Sequence, residues 1–68
     1  MFYTRTNVKE INSKMKKVED SIGQRVFYAP NDCTFWINVD GHIKCIGAMS
    51  MTVEGIAHEA ELILARRS

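Results

Sequence analysis

Two cysteines and two histidines are the side chains of this sequence best suited to holding a metal ion, and they occur in the order Cys33, His42, Cys45, His58. Their spacing is C-x8-H-x2-C-x12-H, whereas a tetrahedral zinc site is normally seeded by a close pair such as C-x2-C or H-x3-H. His42 and Cys45 also alternate onto opposite faces of the strand they are expected to share. The thiols therefore read as small buried or half-buried side chains rather than ligands, and no metal site is expected. His58 opens the string HEAEL, where a zinc-protease helix needs a second histidine one turn on, and Leu62 stands in that place. The glycines fall singly, so no glycine-rich phosphate loop is present and no cofactor is expected.

Acid–base or nucleophilic chemistry would have to come from His42, His58, Asp40, Glu54 or Glu59, with Cys45 or Ser50 as nucleophile. Each has a simpler account: Asp40 suits a tight turn, Glu54 the start of a helix, and His42 an edge position beside that turn. No catalytic residue is expected, and the chain reads as a non-enzyme. A His42-centred ribonuclease is the form of catalysis its residues come nearest to, because imidazole moves protons near neutral pH. Binding chemistry is better represented, in a pair of large aromatics, Phe27 and Trp36, with Arg25, Asn38 and Ile43 nearby.

The elements that must position these residues lie between Gln24 and Ile46. β-branched and aromatic side chains cluster there in three runs: Val26 to Tyr28, Thr34 to Val39, and Ile43 to Ile46. Asp40-Gly41 is a two-residue type I′ turn signal, since both central positions need positive φ. Pro30-Asn31-Asp32 separates the first two runs, and Pro30, lacking an N–H, belongs where the ladder ends. Two-residue loops place Val39 opposite His42, Ile37 opposite Lys44, Trp36 opposite Cys45, Phe35 opposite Ile46 and Tyr28 opposite Phe35. Alternation then sorts the side chains onto two faces. Val26, Tyr28, Cys33, Phe35, Ile37, Val39 and Ile46 form a continuous apolar core face, with His42 and Lys44 towards its edge. Arg25, Phe27, Ala29, Thr34, Trp36, Asn38, Ile43 and Cys45 form the other face, in which Phe27 and Trp36 are cross-strand neighbours.

Helices flank the strands. Asn7 is placed to cap the first, with Glu10 completing a variant capping box, and Gly23 to stop it after Ile22. Val8, Ile11, Met15, Val18 and Ile22 are spaced 3, 4, 3, 4 and make one apolar seam, which suits a helix lying on the core face. The seam lasts too briefly for a coiled coil, and Lys9, Lys14, Lys16 and Lys17 form a basic patch on the solvated side. Ser50 or Thr52 can cap a second helix from Val53 to about Arg67, with an apolar stripe of Val53, Ile56, Ala57, Ala60, Ile63 and Leu64. Glu54 at its start and Arg66 and Arg67 at its end match the helix dipole. A second line of Met51, Gly55, His58 and Leu62 runs down its flank, and Gly55 is expected where another backbone comes close. Residues 1–6 either add an N-terminal edge strand or form a tail.

The expected fold is α+β: a two-layer sandwich of helix, three-stranded antiparallel sheet and helix (αβββα), one small domain over residues 1–68. This order resembles the topology of the double-stranded-RNA-binding fold, which some small RNA-cleaving toxins also use. That fold binds RNA through a basic cluster at the start of its last helix. Here the position reads Met51-Thr52-Val53-Glu54-Gly55, without Lys or Arg, so no binding residue carries over.

At 68 residues the chain is near the size where a single core is only marginally stable. With 46% hydrophobic and 25% charged residues it should nonetheless fold. A net charge of +1 argues against a protein whose main partner is a polyanion. No apolar run approaches the roughly 20 residues needed to cross a bilayer, the N-terminus lacks a signal-peptide core, and two thiols fit a reducing compartment, so a cytoplasmic location is expected. The leading functional expectation is a small protein-binding regulator or inhibitor. It would act through Phe27, Trp36 and Ile43, with Arg25 and Asn38 at the rim, on another protein or on a second copy of itself as a homodimer. The alternatives are nucleic-acid binding, with Phe27 and Trp36 stacking on bases and Arg25 and Lys14, Lys16 and Lys17 on phosphates, and the His42 ribonuclease.

Overall fold

The β-turn between residues 39 and 42 sets the sheet. In the computed structural model, which describes residues 2–66, Asp40 and Gly41 have φ of 53° and 88°, the two left-handed positions that a type I′ turn requires. This turn joins β2 (Thr34–Val39) to β3 (His42–Ala48), and β1 (Phe27–Ala29) lies on the other side of β2 in an antiparallel sheet of order β1-β2-β3. The pairs Val39 with His42, Ile37 with Lys44, Trp36 with Cys45 and Tyr28 with Phe35 all form as expected.

Two register details depart from expectation. Phe35 pairs with Gly47, not Ile46, because the register shifts between Phe35 and Trp36. A bulge of this kind leaves one extra residue in β3 and turns two consecutive residues towards the same layer. Ile46 stays in the core at 2% exposure. Gly47 also faces the helices, where a Cβ would lie 2.8 Å from Ile56 Cγ1 and 3.0 Å from Met51 Sδ. Cys33, expected on the core face of a strand, instead sits exposed in the β1–β2 turn with φ of 53°. Pro30 has no N–H to offer a partner at Cys33, so the ladder stops at Ala29 and Thr34 and the loop opens to four residues.

The helices are α1 (Lys9–Ile22) and α2 (Val53–Arg66). α1 starts later than the Asn7–Glu10 capping box implies: Val8 takes the cap position and no side chain caps the helix. Asn12 reaches back instead, its Oδ1 accepting the Thr6 N–H at 2.7 Å and its Nδ2 donating to the Thr6 carbonyl at 2.8 Å. At the other end Gly23, with φ of 72°, donates its N–H to the Glu19 carbonyl as expected of a helix stop. Met15 and Val18 carry the seam into the core, Ile11 and Ile22 pack beside it, and Val8 is left exposed ahead of the first turn.

Thr52, not Ser50, caps α2, its Oγ1 accepting the Gly55 N–H at 3.1 Å. Ile56, Ala57 and Ala60 are buried. No second backbone approaches Gly55; a Cβ there would meet only Thr52 Oγ1 and Met51 Cε. The small residue needing a close approach is Gly47. Arg67, expected near the helix end, lies outside the described residues.

Both helices pack on one face of the sheet, joining Val26, Tyr28, Phe35, Ile37, Val39 and Ile46 in a single apolar core. The result is the α+β two-layer fold. Its Cα radius of gyration, 10.9 Å, is that of a compact chain of this length. Among the described residues no helix is long and apolar enough to cross a membrane.

The N-terminal segment lies between the two forms expected of it. Tyr3 makes one antiparallel bridge to Tyr28, exchanging hydrogen bonds of 2.9 and 2.7 Å along the free edge of β1, without extending into a strand. Arg5 then fixes the segment to α1 through bonds of 2.8 and 3.2 Å to the two Glu19 carboxylate oxygens.

Candidate functional site

With both helices on one side, the other face of the sheet has no helical cover. The structure places four of the five expected residues, Phe27, Trp36, Asn38 and Ile43, on it, whereas Arg25 lies before β1 and lines a groove with Thr4, Arg5 and Glu19. Phe27 and Trp36 are cross-strand partners and both are half-buried, and Asn38 pairs with Ile43. Ile43 is 38% exposed, and Cys45, the cross-strand partner of Trp36, carries an exposed thiol. Neighbouring Ala29 is buried, so the open area centres on Trp36 and the β3 side.

Trp36 is held rather than loose. Its indole Nε1–H donates to Thr34 Oγ1 at 2.7 Å, two residues back on the same face. The Phe2 ring packs against it edge-on, with centroids 5.4 Å apart and planes at 63°. Since the indole N–H is already satisfied, the exposed part of Trp36 presents ring surface. Phe2, itself 43% exposed, extends the apolar surface and was not singled out from sequence. Its signal was the aromatic pair Phe2-Tyr3 beside a sheet edge.

Asn38, exposed on this face, also has a structural contact. Its Oδ1 accepts the Gly41 N–H at 2.8 Å, and its backbone carbonyl accepts from Gln24 Nε2 at 2.6 Å. It braces the type I′ turn. The N-terminal segment that carries Phe2 depends on Glu19, whose carboxyl is held below the usual carboxylate range. The Arg5 hydrogen bonds are the main cause, the Val26 N–H adds to them at 3.1 Å, and partial burial opposes them.

The basic patch of α1 does not join this face, because α1 lies on the opposite side of the sheet. Two of its members are also engaged: Lys14 Nζ donates to the Met49 carbonyl at 2.7 Å and Lys16 pairs with Asp20 at 3.4 Å. Stacking aromatics and the three lysines therefore do not form one surface for a nucleic-acid strand. His42 lies at the β3 end of the core face, with Asp40, Lys44 and Arg66 around a groove, away from Trp36. Among the described residues no three His, Cys, Asp or Glu side chains gather as a metal-ligand set.

A groove of about 510 Å³ runs between the N-terminal segment, the start of α1 and β1, lined by Tyr3, Tyr28, Val8, Ile11 and Pro30. Its charged group, Arg5, is committed to Glu19. Compared with known protein families, curated proteins and solved structures, the chain matches none of them.

Proposed function

We propose that this chain is a small non-enzymatic protein-binding regulator or inhibitor that docks a partner protein on its open sheet face. The observation that carries the reading is the side-by-side placement of Phe27 and Trp36, half-exposed, on the face that neither helix covers. Tryptophan is among the residues most enriched at interface hot spots, and a contiguous apolar patch on a small domain marks an interaction surface.

The test retains binding partners from native lysate on tagged wild-type and Trp36→Ala protein, each with and without nuclease. Sedimentation of the purified chain is measured alongside. A protein held by wild type, weakened by roughly 2 kcal/mol or more in Trp36→Ala and indifferent to nuclease is the expected result. Retention that vanishes with nuclease would replace this reading with nucleic-acid binding. Trp36-dependent self-association would instead assign the face to a second copy of the chain.

A further inference from the structure

A second surface, on the helix side of the sheet, has a different chemistry. His42 and Lys44 are two apart on β3 and point to the same face, towards the last turn of α2. With Val39, Asp40, Ile63 and Arg66 they line a groove of about 380 Å³, at the small end of the range for ligand sites. Lys44 and Arg66 enter no ion pair among the described residues, whereas Arg5 pairs with Glu19 and Lys16 with Asp20.

We propose that this groove binds the phosphate group of a nucleotide-sized phosphomonoester, with Lys44, Arg66 and His42 as donors. The charge balance supports an anion. Lys44 and Arg66 contribute two positive charges against one from Asp40, and the imidazole offers an N–H in either protonation state. The carbonyl end of α2 opposes an anion, and Arg66 in its last turn offsets that. Glu59, further back on α2, lines the adjoining groove along β3 together with Arg66 and Ile63, and so bounds the positive region. Ammonium and guanidinium donors at one site match a compact dianion through charge-assisted hydrogen bonds. Val39 and Ile63 supply an apolar wall for the organic part of the ligand. A longer phosphodiester strand is the poorer fit, because it needs a continued basic track and Glu59 stands in its way.

The site is separate from the Trp36 face, so the two can be tested independently. Amide shifts of the full chain would be followed by NMR during titration with inorganic phosphate, with adenosine monophosphate, and with a short single-stranded RNA lacking terminal phosphates, at constant ionic strength. Saturable shifts confined to residues around His42, Lys44 and Arg66 are expected with phosphate and with the nucleotide. Lys44→Ala and Arg66→Ala should each weaken the nucleotide by roughly 10-fold, the loss of one hydrogen bond to a charged group. Both side chains are exposed, and a wild-type-like spectrum of each variant confirms its fold. Non-saturating or dispersed shifts that chloride reproduces would overturn the proposal. So would binding by the RNA alone, or nucleotide binding indifferent to Lys44→Ala.

Discussion

Phe35 and Trp36 are adjacent in the chain, and the single step between them separates the two faces of the molecule. Phe35 is wholly buried beneath both helices, while Trp36 is half-exposed on a face covered only at one side by Phe2. The core face collects residues from every element. The open face collects aromatics that neither helix packs over. In a chain of 68 residues, which can build only one core, a large aromatic left outside that core contributes little to holding the fold together. On the function proposed above, its size serves contact with a partner.

That contrast can be broken most forcefully from the core side. Phe35→Ala should cost about 3 to 5 kcal/mol of stability, as expected for a fully buried aromatic truncated to Ala, and urea unfolding would read it as a large drop in midpoint. Partner binding should disappear only as far as the fold does. Gly47→Ala tests the bulge. The added methyl would lie 2.8 Å from Ile56 Cγ1, so overpacking should cost about 1 to 3 kcal/mol in the same assay. An unchanged midpoint would mean that α2 sits further from β3 than described.

The smallest effect is set by pH and sharpens the open face. The Glu19 pKa is depressed in the folded chain, so its stabilising contribution is complete above the unfolded carboxylate value of about 4.3 and is lost as pH falls through the lower folded value. Acid unfolding should therefore steepen in that window, and Glu19→Gln should remove that part of the steepening. The same variant weakens the Arg5 attachment of the N-terminal segment, so the Phe2 ring resonances should lose their contacts to Trp36.

Much of the architecture was legible in the sequence because its signals are local. Asp40-Gly41 names its own turn, Gly23 its own helix stop, and alternation along β2 sorts Phe35 from Trp36 without further information. What stayed hidden depends on contacts distant in sequence. Ile46 and Gly47 both face the helices because the register shifts beside them, and Ile56 and Met51 leave no room there for a side chain on Gly47. Asn7 looked like a cap, yet Asn12, closing on Thr6, organises the entry to α1. Of the open face, Phe27, Trp36 and Ile43 were readable from strand alternation, whereas Arg25 lies before β1, beside Arg5 and Glu19. Asn38 also braces the turn, and Phe2 joined through a segment whose strand-like residues signalled an edge but not the contact of the Phe2 ring with Trp36. The groove of His42, Lys44 and Arg66 needed the end of α2 placed beside the start of β3, which no pattern along the chain specifies.

The most direct test of the two-face account is urea unfolding of Trp36→Ala beside Phe35→Ala, followed by far-ultraviolet circular dichroism because Trp36 is the sole tryptophan. The account predicts that Trp36→Ala loses only about 0.5 to 2 kcal/mol, the value of its contacts with Phe2 and Phe27, while Phe35→Ala loses clearly more. A Trp36→Ala protein as unstable as Phe35→Ala would place the indole in the structural core and remove the open face as a docking surface.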